Sequence, residues 1–155
     1  MHIHEAVNAV LDFHNRLKVS PAQPMCREPN ARLKLIAGLV LNVAKSLEVN
    51  VPNNHDARFL RSHLLLEEIG ELIMAMADGD EVAALDGSAD LLYVLLGTSG
   101  TFDWPIEEAF KEVHASNMTK EKQPDDPLAE RVRAKGPNYV APNLYRVLEK
   151  HRCEP

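Results

Sequence analysis

The sequence predicts an all-α fold, a helical bundle built around an antiparallel two-helix acidic hairpin. Apolar residues recur at three- and four-residue spacing through most of the 155-residue chain, the period of a single helix face. No segment alternates apolar and polar residues as a half-buried strand does, and no internal repeat is present. A tight Asp78, Gly79, Asp80 turn joins two long periodic stretches, which is how antiparallel neighbouring helices are connected.

Along the chain, Ile3, Val7, Val10, Leu11 and Leu17 form one stripe, so a first helix is expected from Ile3 to about Leu17. Three prolines between Ser20 and Pro29 end it. A second helix follows Asn30 as cap and runs to about Glu48, burying Leu33, Ile36, Ala37, Val40, Leu41, Ala44 and Leu47. The third is expected over about Asp56 to Ala77 and the fourth over about Asp80 to Thr98, the two arms of the hairpin. Asp103 as cap, Pro105 in the first turn and the stripe Ile106, Ala109, Phe110, Val113 announce a fifth, ending near Asn117. Residues 118–141 are polar and turn-rich, so they read as a long loop or lid, with a short last helix over about 142–151.

With 45% hydrophobic residues, a chain of this length is expected to be one domain, 1–155. A net charge of -6 argues against nucleic-acid and acidic-membrane partners, whose binding relies on Lys and Arg neutralising phosphates. The most apolar stretch, Leu33 to Ala44, is too short to span a bilayer and contains Lys34 and Asn42. Two cysteines, Cys26 and Cys153, with no CxxC spacing, indicate neither a zinc cluster nor a disulfide framework and fit a reducing cytoplasm.

The chemistry lies in the hairpin. A rotation of about 100° per residue puts Glu67, Glu68 and Glu71 in the same sector of the third helix as Leu60, Leu64 and Ala75. Asp86 and Asp90 lie one turn apart on the fourth, beside Ala83, Val94 and Gly97. Carboxylates among apolar residues must protonate or be neutralised. From Arg61 to Glu107 the only basic side chain between is His63. A divalent cation resolves the imbalance, and an all-oxygen donor set selects Mg2+, with Mn2+ as the alternative, and through it a phosphorylated substrate. A di-iron carboxylate bundle would need a Glu followed three residues later by His, and no such pair occurs. A solvated helix face is the ordinary fate of a lone EExxE, but Asp90 inside the apolar run that continues from Leu91 to Leu96 has no such explanation.

LLLEEIGEL (Leu64 to Leu72), DGSADLLYVLLGT (Asp86 to Thr98) and EVHASNMTK (Glu112 to Lys120) together resemble the all-helical nucleoside triphosphate pyrophosphohydrolases, the MazG-like and phosphoribosyl-ATP pyrophosphohydrolase superfamily. KGPNYVAPNL (Lys135 to Leu144) and DFH (Asp12 to His14) resemble the MazG-like branch that includes enzymes acting on dUTP. The family's second motif is ExxD, whereas here Gly87 stands three before Asp90 and Asp86 four before.

The resemblance implies cleavage between the α and β phosphates to give a nucleoside monophosphate and pyrophosphate. It implies Glu68, Glu71, Asp86 and Asp90 as magnesium ligands, and Glu67 as the residue that orients or deprotonates the attacking water. Asn117, Lys120, Lys135 and Tyr139 are then the substrate-binding candidates, the last two from the lid. It also implies a homodimer or dimer of dimers. The substrate expected is a noncanonical or deoxy nucleoside triphosphate such as dUTP. Phosphoribosyl-ATP hydrolysis shares the same metal site, and a non-catalytic helical dimer is the reading that Gly87 favours.

Overall fold

The computed structural model describes residues 1–17, 23–49, 55–121 and 135–153. Among them every regular element is a helix: α1 (Ile3–Arg16), α2 (Ala31–Glu48), α3 (Ala57–Asp78), α4 (Glu81–Thr101), α5 (Ile106–Asn117) and α6 (Leu144–Cys153). The expected all-α class is therefore found. Contacts divide the chain into two compact units, Pro24–Trp104 and Met1–Gln23 with Pro105–Pro155, and each is described by itself.

In the unit formed by α2, α3 and α4, every helix start expected from the sequence is capped by the side chain just before it. The Asn30 side-chain oxygen accepts the backbone N–H groups of Arg32 and Leu33, both at 3.1 Å. Its own N–H donates to the Ala77 carbonyl at 2.7 Å, tying the start of α2 to the end of α3. Asp56 accepts the Arg58 N–H at 2.9 Å, and the side-chain hydrogen bond from Arg58 pulls its carboxyl down to about 2. Asp80 accepts the N–H groups of Val82 and Ala83 at 3.1 and 3.0 Å.

Between α3 and α4 the chain reverses at Gly79, whose φ of 73° lies in the left-handed region and where any side chain would run into the backbone of Arg27. Ion pairs Arg27–Glu81 and Lys34–Asp78 close the same end of the unit. Replacing Asn30 with Ala leaves two N–H groups of α2 without acceptors, so a loss of about 1 kcal/mol is expected. Urea unfolding checks this, and an unchanged midpoint would mean that the cap carries no stability.

The buried residues between these helices are small: Ala37 and Ala44 of α2, Gly70 and Ala77 of α3, Ala84 and Gly87 of α4. They let the backbones approach closely. Of the seven α2 residues expected inside, Ala37 and Ala44 are buried, Leu33, Val40, Leu41 and Leu47 are half-buried, and Ile36 is exposed. The apolar surface of α2 is wider than the line along which α3 covers it, and Leu35, Leu39 and Val43 are exposed too. No large side chain among the described residues is fully buried, so a single chain leaves much apolar surface uncovered.

In the other unit, α1 exposes Ile3, Val7, Val10 and Leu11 of its expected stripe, and of that stripe only Leu17, just past the end of the helix, is buried. Glu107, in the first turn of α5, pairs with the Met1 amino group and with Lys111. The expected cap of α5 is corrected: Pro105 occupies the cap position, while Asp103 sits in the preceding turn with φ 51°. The Trp104 N–H donates to Ser99 O at 2.9 Å, closing that turn, and Asp tolerates the left-handed conformation it requires.

Of the expected loop over 118–141, residues 122–134 lie outside the described residues. Its two ends are fastened to each other: the Val140 N–H donates to Thr119 Oγ1 at 2.9 Å, and Ser116 Oγ donates to the Val140 carbonyl at 2.7 Å. α6 begins at Leu144 rather than about 142, after Asn143 Oδ1 has accepted the Arg146 N–H. Among the described residues no helix is long and apolar enough to cross a membrane.

Candidate active site

The hairpin sets the register of the acidic side chains. A Cβ on Gly87 would lie 3.3 Å from the Leu72 Cα, and one on Gly97 would lie 3.2 Å from Arg61 Nη1. Counting back along antiparallel helices from the Gly87–Leu72 approach brings Glu68 of α3 near the level of Asp90 of α4, with Glu71 toward Gly87.

The electrostatics agree with this register. The Glu68 carboxyl is held above its ordinary range, first by burial and then by repulsion from Glu71, Asp90, Glu67 and Asp86. The other four acidic candidates thus all act on Glu68 within one unit. Among the described residues no side-chain cation pairs with Glu68, Glu71, Asp86 or Asp90.

A hard divalent cation fits this set, because the donors are all carboxylate oxygens and lack a counter-charge. The carboxylates are gathered rather than closed into a cage: among the described residues no three groups converge tightly enough to hold an ion unaided. Magnesium uses one or two carboxylates, waters and substrate phosphates, so an open arrangement suits it.

Gly87 has a steric explanation. With 3.3 to 3.4 Å from a would-be Cβ to the Cα, Cβ and N of Leu72, a side chain here requires the α3 backbone to give by a few tenths of an ångström. Asp86, one residue round the helix, is exposed and has room for its carboxylate.

His63 is more than the partly buried polar residue that its position in the sequence suggests. Its Nδ1 lies 3.0 Å from the Ala44 carbonyl of α2. A carbonyl only accepts, so Nδ1 carries the proton and Nε2 is directed to Glu67 Oε2 at 3.7 Å. The signal available in the sequence was the four-residue spacing of His63 and Glu67.

The four substrate-binding candidates lie in the other unit. Asn117 is the last residue of α5, its carbonyl accepting the Lys120 N–H at 3.0 Å. Lys135 Nζ stands 5.1 Å from the centroid of the Tyr139 ring, a cation–π pair. Trp104 packs on Phe102 with ring centroids 5.0 Å apart, as a packing residue would. Tyr93 on α4 is 80% exposed, which leaves both an interface and a ligand contact open to it.

Residues 46–117 match the family described as phosphoribosyl-ATP pyrophosphohydrolase. That span contains α3, α4, α5, the five acidic candidates and Asn117. No curated protein and no solved structure matches the chain.

Proposed function

We propose, from the match of residues 46–117 to the phosphoribosyl-ATP pyrophosphohydrolase family, that this chain is a hydrolase of phosphoric anhydrides of the MazG-like superfamily, a magnesium-dependent nucleoside triphosphate pyrophosphohydrolase that cleaves between the α and β phosphates. The observation that carries this reading is the set of five acids on α3 and α4, of which Glu68, Glu71, Asp86 and Asp90 have no side-chain cation paired with them among the described residues.

Glu68, Glu71, Asp86 and Asp90 are the residues that would hold magnesium. Bound there, it would neutralise phosphate charge and make the attacking water more acidic. Glu67 accepts the proton of that water. Asn117, Lys120, Lys135 and Tyr139 are assigned to the substrate, with Lys120 and Lys135 meeting its negative charge.

We take the substrate to be a deoxy or noncanonical nucleoside triphosphate such as dUTP, acting in nucleotide-pool cleaning. Phosphoribosyl-ATP is the second reading, favoured by the family match. Comparing kcat/KM for the two separates them, because a pocket that hydrogen-bonds one base rejects a misfit by orders of magnitude. A ratio of about tenfold or more for dUTP supports the first reading, and the reverse ratio the second. The steric account of Gly87 weakens the case for a non-catalytic dimer.

The chain is read as a homodimer or dimer of dimers in the cytoplasm. The exposed apolar residues Leu35, Leu39 and Val43 of α2 and Val82, Leu85 and Tyr93 of α4 support assembly, since surface of this kind is normally covered. Light scattering is expected to give at least twice the 17.3 kDa chain mass. A monomer at micromolar concentration would contradict this.

A further inference from the structure

Arg61 stands on α3 seven residues before Glu68, which on a helix is the same face two turns away, about 10.5 Å. Its Nε is buried and has no hydrogen-bond partner. Its guanidinium lies over α4 at Gly97, where a Cβ would come within 3.2 Å of Nη1. Gly97 in turn stands seven residues after Asp90. The cation is therefore held in the helix interface, in line with the carboxylates but apart from them.

A guanidinium stays charged and offers five donors in a rigid fork. Leaving one of them buried and unmade is costly. Three other cations of this unit pair with carboxylates, Arg27 with Glu81, Lys34 with Asp78 and Arg58 with Asp56, and Arg32 and Lys45 stand at exposed positions. Arg61 makes no ion pair among the described residues, although α3 and α4 carry acids on the same line.

We propose that Arg61 binds the phosphate chain of the substrate, taking phosphoryl oxygens that lie beyond the carboxylate-held magnesium. This rests on the pyrophosphohydrolase reading above. A triphosphate is an extended polyanion, and a carboxylate stripe that ends in a fixed guanidinium suits one: metal ions neutralise it at one end and a bidentate donor does so at the other. Gly97 provides the space in which the fork lies.

The test uses inorganic tripolyphosphate with magnesium, which needs neither a base nor turnover. Its affinity is measured by calorimetry on the full chain and on Arg61→Gln and Arg61→Met, with helical content followed by circular dichroism and KM for the best nucleoside triphosphate measured in parallel. Both variants are expected to bind tripolyphosphate about ten- to hundredfold more weakly and to raise KM more than they lower kcat. Arg61→Met keeps an unbranched apolar stem and removes the guanidinium, so it decides the matter if Arg61→Gln does not fold.

Unchanged affinity in a folded variant would overturn the proposal and reduce Arg61 to a packing residue. Absence of tripolyphosphate binding to the unmutated chain would overturn it too. The pyrophosphohydrolase reading fails separately: an Arg61-dependent tripolyphosphate site in a chain that hydrolyses no nucleotide would keep the anion site and remove the enzyme.

Discussion

Glu71→Ala and Asp90→Ala are each expected to lower magnesium-dependent pyrophosphate release about a thousandfold while leaving helical content unchanged. A metal ion supplies several kcal/mol of charge stabilisation at a reacting phosphate, and about 1.4 kcal/mol is a factor of ten in rate. Both residues are exposed and neither caps a helix, so folding does not depend on them.

The same substitutions have an opposite effect on the metal-free protein. Glu68 is an acid whose folded-state pKa is raised, in part by Glu71 and Asp90. The folded chain therefore holds its proton longer than the unfolded chain, and stability falls as pH rises from the ordinary value of 4.5 through the raised one. Removing either neighbour eases the repulsion, so metal-free Glu71→Ala and Asp90→Ala are expected to lose less stability across that window. Thermal unfolding in chelator against pH reads this directly. Turnover within about tenfold of the parent would remove the substituted residue from the metal set.

Gly87→Glu, which would place a Glu three residues before Asp90, is expected to destabilise the chain instead. A Cβ alone comes within 3.3 Å of the Leu72 Cα. Overpacking costs about 1–3 kcal/mol, and confining another carboxylate beside the acids of α3 adds several more. A loss of this kind is a sizeable part of the stability of an ordinary domain, about 5–15 kcal/mol. Asp86→Glu, at an exposed position, lengthens the same function without that clash and is expected to fold normally. A Gly87→Glu chain as stable as its parent in urea would show that α3 and α4 stand farther apart than described.

These contrasts also mark where the sequence was legible. Asn30, Asp56 and Asp80 are read as helix starts because each acts on N–H groups two or three residues ahead, a local interaction that a one-dimensional pattern contains. Asp103 failed by the same test, because Pro105 had already set the entry to α5 and the turn needed a left-handed residue. The expectation that the hairpin acids lie among apolar residues is met only in part: Glu67 and Glu68 are half-buried, while Glu71, Asp86 and Asp90 are exposed, because the apolar residues of the same sector are themselves left partly uncovered in one chain. The expected burial of Ile36 was not met, since periodicity reports a helix's apolar width but not how much a partner covers.

Three features could not be read from spacing. The crowding at Gly87 depends on how closely α3 and α4 approach. The orientation of His63 depends on a carbonyl of α2, nineteen residues away. The buried Nε of Arg61 depends on the α3–α4 register and on the absence of a side chain at Gly97. Each is a non-local contact between helices, whereas the helices themselves are local.

The decisive measurement is product analysis after incubating the full chain with a panel of canonical and damaged nucleoside triphosphates, dUTP and phosphoribosyl-ATP, in magnesium, in manganese and in chelator. Nucleoside monophosphate, or phosphoribosyl-AMP from phosphoribosyl-ATP, together with pyrophosphate in equal amounts is the expected result, abolished by chelator. Release of diphosphate and inorganic phosphate, or no turnover with either metal, would contradict it.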